Sequence, residues 1–254
     1  MLIVVIFFLA PFAEKALAAA KEPRVRVLFI GNSLTFQNDL PGMLTFMCGA
    51  CEPRFNIETA EVTISGSTLE NHWKVGLAQK KIREGNWDFV VLQEYSTWPV
   101  KNKESMFTHM RLYDAEVKNV HARTLLYMNW ALQKSPEDME KITAAYEELG
   151  RELKAQVVPV GAARVMAAES SPEINLFMED GKHPSPAGTY LAACVFFTAI
   201  THRPARGLPA KISDPNWIRR PRVDLTPAQA SALQTVAEKI SKTYGKMSRK
   251  EAAW

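Results

Sequence analysis

The stretch Arg24-Val25-Arg26-Val27-Leu28-Phe29-Ile30-Gly31 decides the fold. It is rich in β-branched and apolar residues and stops on a glycine. A run of this kind reads as a strand buried on both faces, as strands are in parallel sheets. A polar turn, Asn32-Ser33-Leu34-Thr35, follows at once. Outward from this point, strand-like and helix-like segments alternate. Strands are predicted over 24–31, 55–64, 87–93, 123–130 and 156–161. Helices are predicted over 40–51, 69–84, 103–118 and from Ser135-Pro136-Glu137-Asp138 to about Lys154. Two more open at Ser185-Pro186 and at Thr226-Pro227, where a hydroxyl can cap and proline suits the first turn. Such alternation predicts a mostly parallel sheet with helices on both faces.

The 254 residues suit one α/β domain, expected over 21–254, with a basic, proline-containing excursion at 203–224 and a helix after it. A chain this long buries enough surface to need no disulfide or metal staple. The net charge of +4 is spread along the sequence, and its one loose cluster (Arg203, Arg206, Lys211, Arg219, Arg220, Arg222) sits in that excursion. A nucleic-acid footprint concentrates charge on one face, so no nucleic-acid partner is expected. Cys48 and Cys51 form a C-x-x-C near a helix end, and Cys194 stands alone. No second pair completes a zinc site. A local disulfide and two half-buried thiols both remain open for the pair.

Residues 1–20 read as an export signal. The apolar run from Leu2 to Ala13 is too short to span a bilayer, and Ala16-Leu17-Ala18 and Ala18-Ala19-Ala20 offer small residues for cleavage. No cysteine follows these sites, which argues against a lipoprotein. The expectation is an exported chain with no stable membrane span once the signal is removed.

Open parallel sheets form their sites at the carboxyl ends of the strands. There the sequence sets Ser33 after the first strand, Gly66 in Ser65-Gly66-Ser67 after the second, and Gln93-Glu94-Tyr95-Ser96 after the third. Beyond the fifth comes Asp180-Gly181-Lys182-His183-Pro184-Ser185. A serine hydroxyl attacks only if a base takes its proton and an orienter fixes the base. Ser33, His183 and Asp180 are the candidates for these roles. The backbone N–H groups of Ser33 and Gly66 and the side-chain amide of Gln93 are candidate oxyanion donors. His72 is the rival histidine, and Trp73, Tyr95 and Trp98 lie near the proposed rim.

These residues resemble a known family. Phe29-Ile30-Gly31-Asn32-Ser33-Leu34-Thr35 resembles the opening block of SGNH (GDSL-like) hydrolases, Gly66 resembles the second block's glycine, and Asp180-Gly181-Lys182-His183-Pro184-Ser185 resembles the closing D-x-x-H-P-S block. The resemblance spans about residues 24–202. It implies a three-layer α/β/α sandwich, flavodoxin-like, with about five parallel strands, and a cofactor-free serine esterase. The usual third block, Gly-x-Asn-Asp, is replaced by Val91-Leu92-Gln93-Glu94-Tyr95-Ser96, as in a bacterial SGNH-like branch that carries Leu-Gln-Glu there. The expected substrate is an ester, small or on a glycan, with O-acetylated carbohydrate to the fore. A lipid esterase, thioesterase or acyltransferase with the same triad, and a weakly catalytic binding module, are the alternatives.

Overall fold

The computed structural model describes residues 24–213 and 222–251. The predicted signal at 1–20, and Arg219 and Arg220 of the basic cluster, lie outside them. The chain runs β1 (Val25–Gly31), α1 (Ser33–Phe36), a 3-10 turn, α2 (Leu40–Ala50), β2 (Ile57–Thr63), α3 (Leu69–Val75), α4 (Leu77–Glu84) and β3 (Phe89–Leu92). It continues with α5 (Trp98–Lys101), α6 (Lys103–Asn119), β4 (Arg123–Tyr127), α7 (Asp138–Leu153), β5 (Gln156–Val158), α8 (Val160–Ser170) and α9 (Pro186–Thr201). A small antiparallel pair, β6 (Lys211–Ser213) with β7 (Arg222–Asp224), precedes α10 (Pro227–Glu251).

The first five strands form one sheet in the order β2-β1-β3-β4-β5, every neighbour pair parallel. β1 lies inside the sheet, and Val27 to Ile30 are fully buried, as its unbroken apolar run requires. The sheet order reverses around β1, so the crevice for a site opens at its carboxyl end. α9 is buried along its length from Gly188 to Ile200, which suits a helix apolar on every side. It packs between α2 and α10. Among the described residues no helix is long and apolar enough to cross a membrane.

Four details depart from the predicted elements. The helix expected over 69–84 breaks at Gly76, whose φ of 81° ends α3 and starts α4. Ser135 does not cap α7, which begins at Asp138 without a side-chain cap. The fifth strand stops at Val158 rather than at Gly161, because Pro159 has no N–H for the ladder and instead opens α8, a helix the sequence did not predict. The 203–224 excursion contains the β6–β7 pair. The cysteines are free thiols.

Candidate active site

The Ser33 turn follows from how β1 ends. Gly31 closes the strand against Gln93: a Cβ there would stand 2.4 Å from Gln93 Oε1 and 2.8 Å from Thr35 Oγ1. Only glycine leaves room for that side chain to reach across. Asn32 then caps α1, its Oδ1 accepting from Leu34 N at 3.1 Å. Ser33 becomes the first residue of a short helix, pinned to the sheet edge and 6% exposed.

The chain returns to this serine 150 residues later. His183 Nε2 lies 2.8 Å from Ser33 Oγ. On the other side of the ring, His183 Nδ1 lies 2.5 Å from Asp180 Oδ2. Asp180 Oδ1 accepts the backbone N–H groups of Lys182 and His183, each at 2.9 Å, so one four-residue turn holds carboxylate and imidazole together. The His183 bond, with these two N–H groups, pulls the Asp180 carboxyl down to about 2. An ionised carboxylate only accepts, so it fixes the proton on Nδ1 and leaves Nε2 free to take the serine's. The three residues singled out in the sequence thus meet in one hydrogen-bonded line.

The turn is anchored from behind. Leu176 O accepts from Ser185 N at 3.0 Å and from Arg164 Nη2 at 2.8 Å. The Arg164 guanidinium is stacked between Trp130 (4.1 Å) and Phe177 (4.2 Å). Burial pulls Arg164 down to about 9, which leaves it charged at neutral pH. Trp130 Nε1 donates to Lys182 O at 3.0 Å, and Asn38 Nδ2 donates to Pro184 O at 2.9 Å. Ser185 caps α9 through Gly188 N. Asn38, Trp130 and Arg164 escaped the sequence reading. Nothing in their local pattern marks them, since each acts across a long sequence separation.

Gly66 sits in the turn after β2 with a φ of 65°, a conformation that suits glycine. That turn is tied to the Ser33 turn twice, by Ile64 N to Gly31 O at 3.2 Å and by Asn32 Nδ2 to Ser67 O at 2.8 Å. Among the described residues, the N–H groups of Ser33 and Gly66 donate to no protein acceptor.

Gln93 departs from expectation. Its Oε1 accepts from Asn32 N at 2.9 Å and from Thr35 Oγ1 at 2.9 Å. Its Nε2 donates to Asn32 Oδ1 at 3.1 Å and to Glu94 O at 2.5 Å. A backbone N–H can only donate, so the oxygen is fixed where it is, and both amide hydrogens are taken. Gln93 is 1% exposed and has no donor left for an oxyanion. The amide is bound to the Ser33 turn, through Asn32 and Thr35.

His72 is buried and holds Gly31 O at 2.8 Å through Nε2, with its pKa lowered by burial. It supports the end of β1. Tyr95 and Trp98 line a cavity of about 400 Å3 together with Gly66, Thr68, Glu70, Asn71 and Lys74. Trp73 packs edge-on against Tyr113 instead, their ring centroids 5.0 Å apart. Among the described residues no group of His, Cys, Asp and Glu is arranged to hold a metal ion.

No family profile matches the sequence. No match was found among curated proteins. Solved structures do match. A protein from Slackia heliotrinireducens, described as a candidate SGNH hydrolase, is 27% identical over 70% of this chain and 100% of its own, with a TM-score of 0.59. A DUF4886 family protein from Bacteroides uniformis is 19% identical over 88% of this chain and 96% of its own, with a TM-score of 0.66. The acetylxylan esterase Axe2 from Geobacillus stearothermophilus is 18% identical over 69% of this chain and 94% of its own, with a TM-score of 0.57. Sheet order, chain course and these neighbours agree, and the chain is built on the α/β fold of the SGNH hydrolases.

Proposed function

We propose that this chain is a serine hydrolase of small esters, with Ser33 as nucleophile, His183 as base and Asp180 as orienter. The observation that carries the proposal is the continuous line from Ser33 Oγ to His183 Nε2 at 2.8 Å and from His183 Nδ1 to Asp180 Oδ2 at 2.5 Å. Ser33 Oγ attacks the ester carbonyl as His183 Nε2 takes its proton. The tetrahedral oxyanion is met by the N–H groups of Ser33 and Gly66. His183 then returns the proton to the leaving alkoxide, and the acyl group stays on Ser33. Water, deprotonated by the same imidazole, releases the acid and restores the serine.

O-acetylated carbohydrate is the substrate class that the surroundings favour. The Tyr95 and Trp98 rings face the cavity beside Gly66, and Asn71, Glu70 and Lys74 supply polar groups around it. Flat aromatic faces with polar neighbours suit a sugar ring. Two neighbours of the fold are named acetylxylan esterases. Transfer of the acyl group to an acceptor other than water would use the same acyl-enzyme. Export, read from residues 1–20, completes the proposal, since extracellular glycans carry such esters.

The test is turnover of p-nitrophenyl esters of increasing acyl length by the wild-type protein and Ser33→Ala, followed by acetate release from acetylated xylo-oligosaccharides. The expected result is turnover fastest with acetyl and lost in Ser33→Ala. Turnover that survives Ser33→Ala overturns the nucleophile. A preference for long acyl chains shifts the reading to a lipid esterase or thioesterase. A folded protein that turns over no ester overturns the hydrolase reading in favour of a binding module.

A further inference from the structure

The end of β3 carries Gln93-Glu94, and neither side chain is free for a substrate. Gln93 grips the Ser33 turn through three hydrogen bonds, to Asn32 and Thr35, and its remaining N–H goes to Glu94 O. Glu94, next in sequence and 1% exposed, reaches the other way. Its Oε1 accepts from Leu69 N at 3.2 Å and from Tyr95 N at 2.6 Å. Leu69 opens α3, three residues after Gly66, so Glu94 holds the far end of the turn whose near end is tied to Asn32 and Gly31.

We propose that Gln93 and Glu94 are a pair of positioning residues, Gln93 fixing the Ser33 turn and Glu94 fixing the Gly66 turn, so that the two free backbone N–H groups are held in one constellation. The inference rests on the serine-hydrolase reading above and adds to it a division of labour. Where the resemblance leads one to expect a side-chain donor after the third strand, this chain has a brace, and the oxyanion is left to the backbone.

The brace needs an oxygen in place rather than a charge. Burial raises Glu94 to about 7, against the pull of the Tyr95 and Leu69 N–H groups. Its second oxygen, Oε2, is buried without a hydrogen-bond partner among the described residues, as are Ser96 Oγ and Asn129 Oδ1. A carboxylate so desolvated is costly, whereas a protonated carboxyl still presents Oε1 to both N–H groups. An amide in the same place does so too.

The experiment compares wild type, Glu94→Ala and Glu94→Gln for kcat and KM on p-nitrophenyl acetate, with the melting temperature measured alongside. Loss of aim at one oxyanion donor is worth on the order of 10- to 100-fold, below the loss of the donor itself. The expected result is a kcat lower by that factor in Glu94→Ala, a KM changed by less than about threefold, and recovery of most of the loss in Glu94→Gln. Wild-type kcat in a folded Glu94→Ala overturns the inference and leaves the hydrolase reading intact. Equal loss in both variants, tracking a fall in melting temperature, also overturns it, because the group is then a packing element only. Absence of turnover in wild type itself is the failure of the hydrolase reading, and the brace falls with it.

Discussion

At the residue scale the reading is sharpest where the chemistry is local. Asp180 and His183 share one turn, so Asp180→Asn keeps the fold but removes the charge that fixes the imidazole tautomer. It should lower kcat by about 10³- to 10⁴-fold with an unchanged melting temperature. Glu94 makes a different prediction. Its folded pKa, pushed up to about 7, exceeds the roughly 4.3 of an unfolded glutamate. Between those values the unfolded chain has released a proton that the folded chain keeps. Its contribution is therefore present below about pH 4.3 and lost as pH rises toward 7. Glu94→Gln has no such proton, so its melting temperature should gain on wild type between about pH 5 and pH 8. A constant difference across that range would contradict the buried, proton-holding state; Glu70, Tyr113 and Tyr146 are the titratable groups coupled to it. Ser33, Asp180 and His183 were legible in the sequence because each sits in a compact motif. The target of Gln93 was not, because it is set by the space that Gly31 leaves beside it, and that space exists only once β1 and β3 pair.

At the element scale, strands buried on both faces were plain in the sequence, and their ends were not. The β1 run matched because burial and apolar pattern coincide. α8 was missed because Val157-Val158-Pro159-Val160 reads as strand until its proline is seen to end pairing. α8 matters to the site, since it carries Arg164 into its place between Trp130 and Phe177. Among the described residues Arg164 has no carboxylate as a hydrogen-bond partner, and its Nε and Nη1 are unmatched. Arg164→Met would therefore remove a desolvated charge without stranding an opposite one. Its melting temperature should stay within a few degrees of wild type, because exchanging a buried charge for an apolar group of similar size is often neutral. The Leu176 anchor is lost, so kcat/KM should fall by at least about tenfold, or roughly 1.4 kcal/mol. Unaltered kinetics would show that Ser185 N, Trp130 and Asn38 hold the Asp180–His183 turn without Arg164.

At the scale of the whole molecule, α9 lies buried between α2 and α10, and Gln234 of α10 ties Tyr190 and Leu208 to the same layer, at 2.6 and 2.8 Å. Cys48 and Cys194 are buried in this packing as free thiols. Burial, with Cys51 nearby, pushes Cys48 up to about 12, so it stays protonated and inert. A reductant should leave the melting temperature unchanged, and a fall on reduction would reveal a disulfide between Cys48 and Cys51. Ser33 and His183 are 150 positions apart, and each parallel pairing between them needs a crossover. Contacts of such separation form late and slowly. On the ribosome, Ser33 emerges long before His183. A chain halted before residue 183 carries the proposed nucleophile without its proposed base. After dilution from denaturant, esterase turnover should return later than the helical far-ultraviolet signal, and the lag between them would time the closing of the chain's two ends upon each other.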